Sequence, residues 1–162
     1  MREVPRSPDE FTLATLRGRL ETESPHGRAL LADLADNPVA TVVLDREVPC
    51  VAIVWRGYAT DLQSRYVHEM ILLFIADHGV PKLLVDNTRL PSIGDDTRRW
   101  IADDWIPRVM DAGLRVIAGT EPSSVFASQP IRRIATGFNA PLTARYFADL
   151  AVARAWLKTA EA

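Results

Sequence analysis

"VATVVLDREVPCVAIVWRGYATDLQSRYVHEMILLFIADHGVPKLLVDN", residues 39–87, decides the fold. Its two β-branched runs, VATVVLD and CVAIVWRG, are joined by the polar REVP and predict a hairpin of two antiparallel strands. The period then changes. Leu62, Tyr66, Met70, Leu73, Phe74 and Asp77 recur at helical spacing, which predicts a helix about 18 residues long closed by Gly79. KLLVDN follows as a continuous apolar run, the pattern of a strand buried on both faces.

Toward the C-terminus the alternation continues. A second helix is expected from about Asp95 to Ala112, ended by Gly113, with Pro107 removing one hydrogen bond and bending or restarting it near Trp105. LRVIAGT reads as a strand, SSVFASQPIRRIATG as a helical segment broken at Pro130, and LTARYFA as another strand. Asp149 caps a last helix, LAVARAWLKTA. Strands and helices alternating after an opening hairpin imply an α/β fold: a single mixed, mostly parallel sheet with helices packed on it through right-handed crossovers.

Toward the N-terminus, residues 1–38 read as a helical extension to the domain of residues 39–162. Ser7 and Pro8 with Glu10 form a capping box, and Ser24 opens SPHGRALLADLADNP in the same way, ended by Asn37 and Pro38. Leu13, Leu16 and Leu20, then Leu30, Leu31 and Leu34, give each helix one face to bury. That spare apolar face makes a homodimer the expected state.

The 162 residues suit one domain, and 48% hydrophobic with 25% charged residues is ordinary globular composition. A net charge of −2 with mixed signs supplies no basic field for a phosphate backbone, so nucleic acid is not an expected partner. MILLFIA, residues 70–76, is far shorter than a membrane span, and MREVPRSPDEF lacks the apolar core of a signal peptide. Cys50 stands alone, which fits a reducing compartment; a cytoplasmic location is the expectation.

VDNTRLPSIGDDTRRWIADDWIP, residues 85–107, concentrates carboxylates, arginines and tryptophans. Asp86 and Asn87 stand at the carboxyl end of a buried strand, where open α/β sheets place ligands. Asp95 and Asp96 belong to a first helical turn, where the macrodipole favours acids, and Asp103 and Asp104 follow about two turns later. Carboxylates spread in this way do not meet at a metal, and no metal site is expected. Ile101, Trp105 and Val109 form a core stripe, whereas Trp100 lies on its flank as a contact residue. His26, His68 and His78 are dispersed, and the HE at 68–69 lacks the second histidine of a zinc-protease helix. No nucleophile elbow, P-loop, dinucleotide fingerprint or CxxC pair occurs. No catalytic residues are assigned. Ser92, Ser123 and Ser124 precede helical segments and read as caps.

VVWRGYAT after a hairpin strand, a long helix, then LLVDNTRLPSIGDDTRRWIADDWIPRVMDAGLRVIAG and a closing FADLAVARAWL resemble small bacterial proteins of the STAS and SpoIIAA-like group. The resemblance covers about residues 39 to 160 and rests on Trp55, Gly57, Asp86, Asn87, Trp100, Trp105, Pro107, Gly113, Trp156 and Leu157. It implies an α/β sheet with no cofactor and a non-enzymatic regulatory domain that binds a protein partner. A partner or ligand surface would then comprise Asn87, Arg89, Ser92, Asp95, Asp96 and Trp100. Relatives are switched by phosphorylation in the window that here contains Ser92 and Thr97, although the usual Asp-Ser pair is missing. The alternative is a small-ligand or lipid-binding protein, or an enzyme, using the loop from Asp86 to Thr97. The chain is short for the lipid pocket of the similar Sec14-like proteins.

Overall fold

In the computed structural model, which describes residues 28–32, 38–90, 93–121 and 142–162, the hairpin reading holds. Strands β2 (Pro38–Asp45) and β3 (Cys50–Trp55) pair antiparallel, with Asp45 opposite Cys50. The turn between them is set by Asp45, whose Oδ1 accepts the backbone N–H groups of Glu47 and Val48. Beyond β3 the pairing becomes parallel: β3 with β4 (Lys82–Asp86), β4 with β5 (Val116–Thr120), and β5 with β6 (Thr143–Phe147).

One expectation is corrected. The helix read from Ser24 to Asn37 is replaced over Arg28–Ala32 by strand β1, which pairs antiparallel with β2. The leucine spacing of RALLADL fits a helix, but the free edge of β2 offers that segment a row of backbone partners, and tertiary pairing overrides the local preference. Pro38 accordingly begins β2 instead of ending a helix. The described strands form one six-stranded sheet in the order β1-β2-β3-β4-β5-β6. The other N-terminal helix and the segment broken at Pro130 lie outside the described residues.

Helix α1 (Asp61–His78) starts at a capping box in which Thr60 accepts from the Gln63 amide and the Gln63 side chain accepts from the Thr60 amide. It stops at Gly79, whose φ of 62° is left-handed and favours glycine. Every residue from Val67 to Ile75 is buried, so this helix is enclosed on all sides and not along one stripe. The sheet covers one side of it, and a second helical segment the other.

That segment consists of α2 (Asp95–Trp100), a π-helical turn (Ile101–Trp105) and α3 (Ile106–Asp111). Pro107 causes the interruption: it has no N–H to give, and its ring would collide with a carbonyl one turn back. The Ile106 amide bonds instead to the Ile101 carbonyl, five residues earlier, and the α-helix restarts there. Gly94 occupies the N-cap of α2 with no side-chain hydrogen bond.

The two faces of the sheet follow from strand alternation. Val51, Ile53, Leu83 and Ile117 face α1 and the π turn. Cys50, Leu84, Val116 and Ala118 face the opposite way, toward α4 (Leu150–Thr159), where Ala153 and Leu157 seal them. Asp149 caps α4 by accepting from the Ala151 and Val152 amides. Among the described residues no helix is long and apolar enough to cross a membrane.

Candidate functional site

The acidic stretch resolves into local pairs. Asp95 pairs with Arg98, Asp96 with Arg99 and Asp104 with Arg108, each within one helical turn on the surface. Asp86 closes its strand by accepting from the Thr88 amide at 3.0 Å and the Thr88 hydroxyl at 2.7 Å. Among the described residues no three His, Cys, Asp or Glu side chains are grouped to hold a metal ion.

The residues singled out in the sequence therefore separate. Asn87 is buried, with its backbone N–H donating to Thr120 Oγ1 and its Nδ2 to the Thr120 carbonyl. Arg89, Asp95 and Asp96 are exposed. Thr97 is wholly buried and its hydroxyl donates to Asp61 Oδ1 at 2.7 Å, so transfer of a phosphoryl group to it requires the start of α2 to lift from α1. Gly94 fits this junction closely, because a Cβ there would sit 2.7 Å from the same Asp61 oxygen. Ser92 lies outside the described residues.

Trp100 is half-buried. Its ring stands edge-on to His68 at 6.0 Å, and the guanidinium groups of Arg65 and Arg108 lie 5.2 and 5.9 Å from its centroid. Arg108 also grips the buried carboxylate of Glu69 with both terminal nitrogens. That pairing, aided by Asp104, holds the guanidinium charged beyond its already high pKa.

A concave feature lined by described residues lies one layer deeper than the acidic loop. A cavity of about 70 Å³ opens between the sheet and the helices. Ile53, Leu83, Val85 and Ile117 form its sheet wall, and Ile71 with Ile101 and Ile106 its helical wall. The π turn makes this wall, because residues five apart share a face there, as Ile101 and Ile106 do. Three rings, those of Trp55, Trp105 and Tyr146, complete the apolar lining. Tyr146 reaches in from β6 because β5 has a glycine at the crossing: a Cβ on Gly119 would lie 2.9 Å from the Tyr146 ring.

Polar groups enter this lining at few points. His68 is only 9% exposed, yet it lines the cavity. Its Nδ1 lies 2.7 Å from the Ser64 carbonyl, an oxygen that can only accept, so Nδ1 carries the proton. Burial pushes its pKa down to about 4 despite that hydrogen bond, leaving a neutral ring with a lone pair on Nε2. Tryptophans surround it: Trp105 edge-on at 4.8 Å, and Trp55 tilted at 6.0 Å. The Trp105 indole N–H is already spent on the His68 carbonyl at 2.7 Å. Asn87 contributes the second polar group and Tyr146 the third; burial raises the Tyr146 phenol to about 12, so it stays protonated.

Sequence reasoning named Asn87 but not His68, Trp55, Tyr146 or Gly119 as a set. One signal was present: His68 adjoins the apolar run at 70–76, and a histidine embedded in so apolar a helix is buried with its ring nitrogens needing partners. Cys50 is buried, and burial pushes its thiol up to about 12. Compared with protein-family models and with curated proteins, the chain finds no match.

Proposed function

We propose that this chain is a small-ligand-binding domain whose site is the cavity bounded by His68 and Asn87. A single observation carries the reading: an apolar cavity that contains a few buried polar side chains converging from different elements, the usual composition of a ligand site. The reading takes up the ligand-binding alternative and keeps Asn87 from the strand-end loop, while moving recognition from the exposed acids to the layer beneath. Native mass spectrometry of protein purified from its own cells should show a retained molecule, or a thermal-shift screen of small compounds should raise Tm. Bare protein together with no stabilising compound would count against it.

A regulatory role through a protein partner, as the STAS and SpoIIAA-like resemblance implies, is the second reading, and one feature favours it. Tyr58 (68% exposed) and Arg89 stand beyond the carboxyl ends of β3 and β4, and Trp100 links the surface Arg65 to the cavity residue His68. Trp100 would thus pass cavity occupancy to a partner surface. Substituting Tyr58 and Arg89 with alanine should weaken capture of a partner without lowering Tm.

A further inference from the structure

Strand β6 ends the sheet, and part of its backbone is unspent. Its register on β5 shows which part. The Thr143 N–H donates to the Arg115 carbonyl at 3.0 Å, and the Phe147 carbonyl accepts from the Glu121 N–H at 2.9 Å. In a parallel ladder alternate residues of a strand turn both backbone groups to the same neighbour, so Thr143, Arg145 and Phe147 are committed to β5. Ala144 and Tyr146 then present their N–H and C=O groups outward, and among the described residues nothing receives them.

Helix α4 sets what stands beside this edge. Ala153 and Leu157 face the sheet, while Arg154 and Lys158 turn toward the β2–β3 connection, where Arg154 bonds Asp45 and Glu47 and Lys158 bonds Glu47. Val152 and Trp156, one position before the sheet-facing pair, lie on the opposite flank, the one over β6. The Trp156 ring stands 5.7 Å from that of Phe147, and Val152 is 54% exposed. Arg145 rises on the same side of the sheet, its guanidinium 5.6 Å from the Phe147 ring and 5.3 Å from the Trp156 ring. It is exposed, and among the described residues no carboxylate pairs with it.

We propose that the outer edge of β6 docks an extended segment of a partner protein, which joins the sheet as a further strand and sets a carboxylate opposite Arg145. Charge complementarity chooses this occupant. A second copy of this chain is selected against: the symmetric register that uses both Ala144 and Tyr146 sets Arg145 opposite Arg145, and like charges directly opposite repel. An acidic residue in that place neutralises the guanidinium instead. Its same-face neighbour, two residues along, rests on the shelf of Trp156 and Val152. Main-chain bonds to Ala144 and Tyr146 hold the segment, and the alternation of acid and apolar side chains on one face gives it specificity.

The test titrates the full chain, followed by NMR, with two end-capped seven-residue peptides. Both carry threonine at odd positions and valine at the second and sixth; the fourth is glutamate in one and lysine in the other. The glutamate peptide should bind about fivefold more tightly, the effect of one cross-strand charge pair, and should slow hydrogen exchange at the Ala144 and Tyr146 amides. In Arg145→Glu the order of the two peptides should reverse. Should that variant not fold, Arg145→Gln replaces it, and there the ratio should fall to about one. Equal binding of the two peptides to the unmodified chain, or protection only at other amides, overturns the proposal. So does a dimer in sedimentation whose Ala144 and Tyr146 amides are protected without peptide, because the edge then belongs to a second copy.

Discussion

The two faces of the sheet are made from neighbouring residues of the same strands, yet one is sealed and the other is not. Leu84, Val116 and Ala118 meet Ala153 and Leu157 of α4 in a small, buried cluster. Surface ties hold that helix down: Arg154 bonds Asp45 and Glu47, Lys158 bonds Glu47, and Lys82 Nζ donates to the Leu157 carbonyl. On the other side Leu83, Val85 and Ile117 face the segment that contains the π turn, and the cavity lies between them. A regular helix with small residues closes a sheet; a helix interrupted by proline, carrying large rings, leaves room. On the function proposed here, binding belongs to imperfect packing on one face and not to the charged loop above it.

The largest effect that would sharpen this contrast is expected on the sealed face. Leu157→Ala should cost roughly 4 kcal/mol in chemical denaturation, toward the upper part of the range for core leucines because the cluster has no slack into which to collapse. A loss near 1 kcal/mol would mean that α4 is loosely seated and that the two faces do not differ.

The open face should show itself through pH. The folded pKa of His68, about 4, lies below its ordinary value of 6.5, so the unfolded chain binds the proton more readily. Its contribution is complete above about pH 6.5 and is lost as pH falls toward 4, amounting to about 3 kcal/mol. Around the ring stand Trp55, Trp100 and Trp105, with Arg65 and Arg108 behind Trp100 and Glu69 adjacent in the chain but committed to Arg108. Asp45, whose pKa Arg154 lowers, also loses stabilisation in acid, so the measurement compares wild type with His68→Phe across this window. If the difference between the two proteins does not change with pH, the imidazole is not held neutral by the fold.

The smallest effect is also the most direct comparison of the faces. Ala118→Val adds volume to the sealed side and should cost about 2 kcal/mol through overpacking. Val85→Ile adds one methylene at the cavity wall and should change stability by less than about 0.5 kcal/mol. Equal penalties would show that the cavity closes in solution.

Much of this architecture was legible in the residues. The hairpin, α1 with its Gly79 stop, the buried strand β4 and the break near Pro107 follow from β-branching, helical spacing and the missing proline N–H, all of which act within a few residues. Arg28–Ala32 was misleading because its leucines satisfy both periods over so short a stretch, and only the open edge of β2 decides between them. The candidate site was legible at Asn87 alone. His68, Trp55 and Tyr146 come from α1, β3 and β6, far apart in the chain, and each has an ordinary packing explanation when read singly.

From β2 onward the sequence by itself determined the types and order of the described elements and the scattering of the acids along a helical surface, since these depend on local backbone sterics, caps and periodicity. Only the tertiary structure decided that the strands line up in sequential order, that His68 loses its charge, and that Trp55, Asn87 and Tyr146 share one space with it. Those outcomes depend on desolvation and on contacts between distant segments, and neither exists until the layers are packed together.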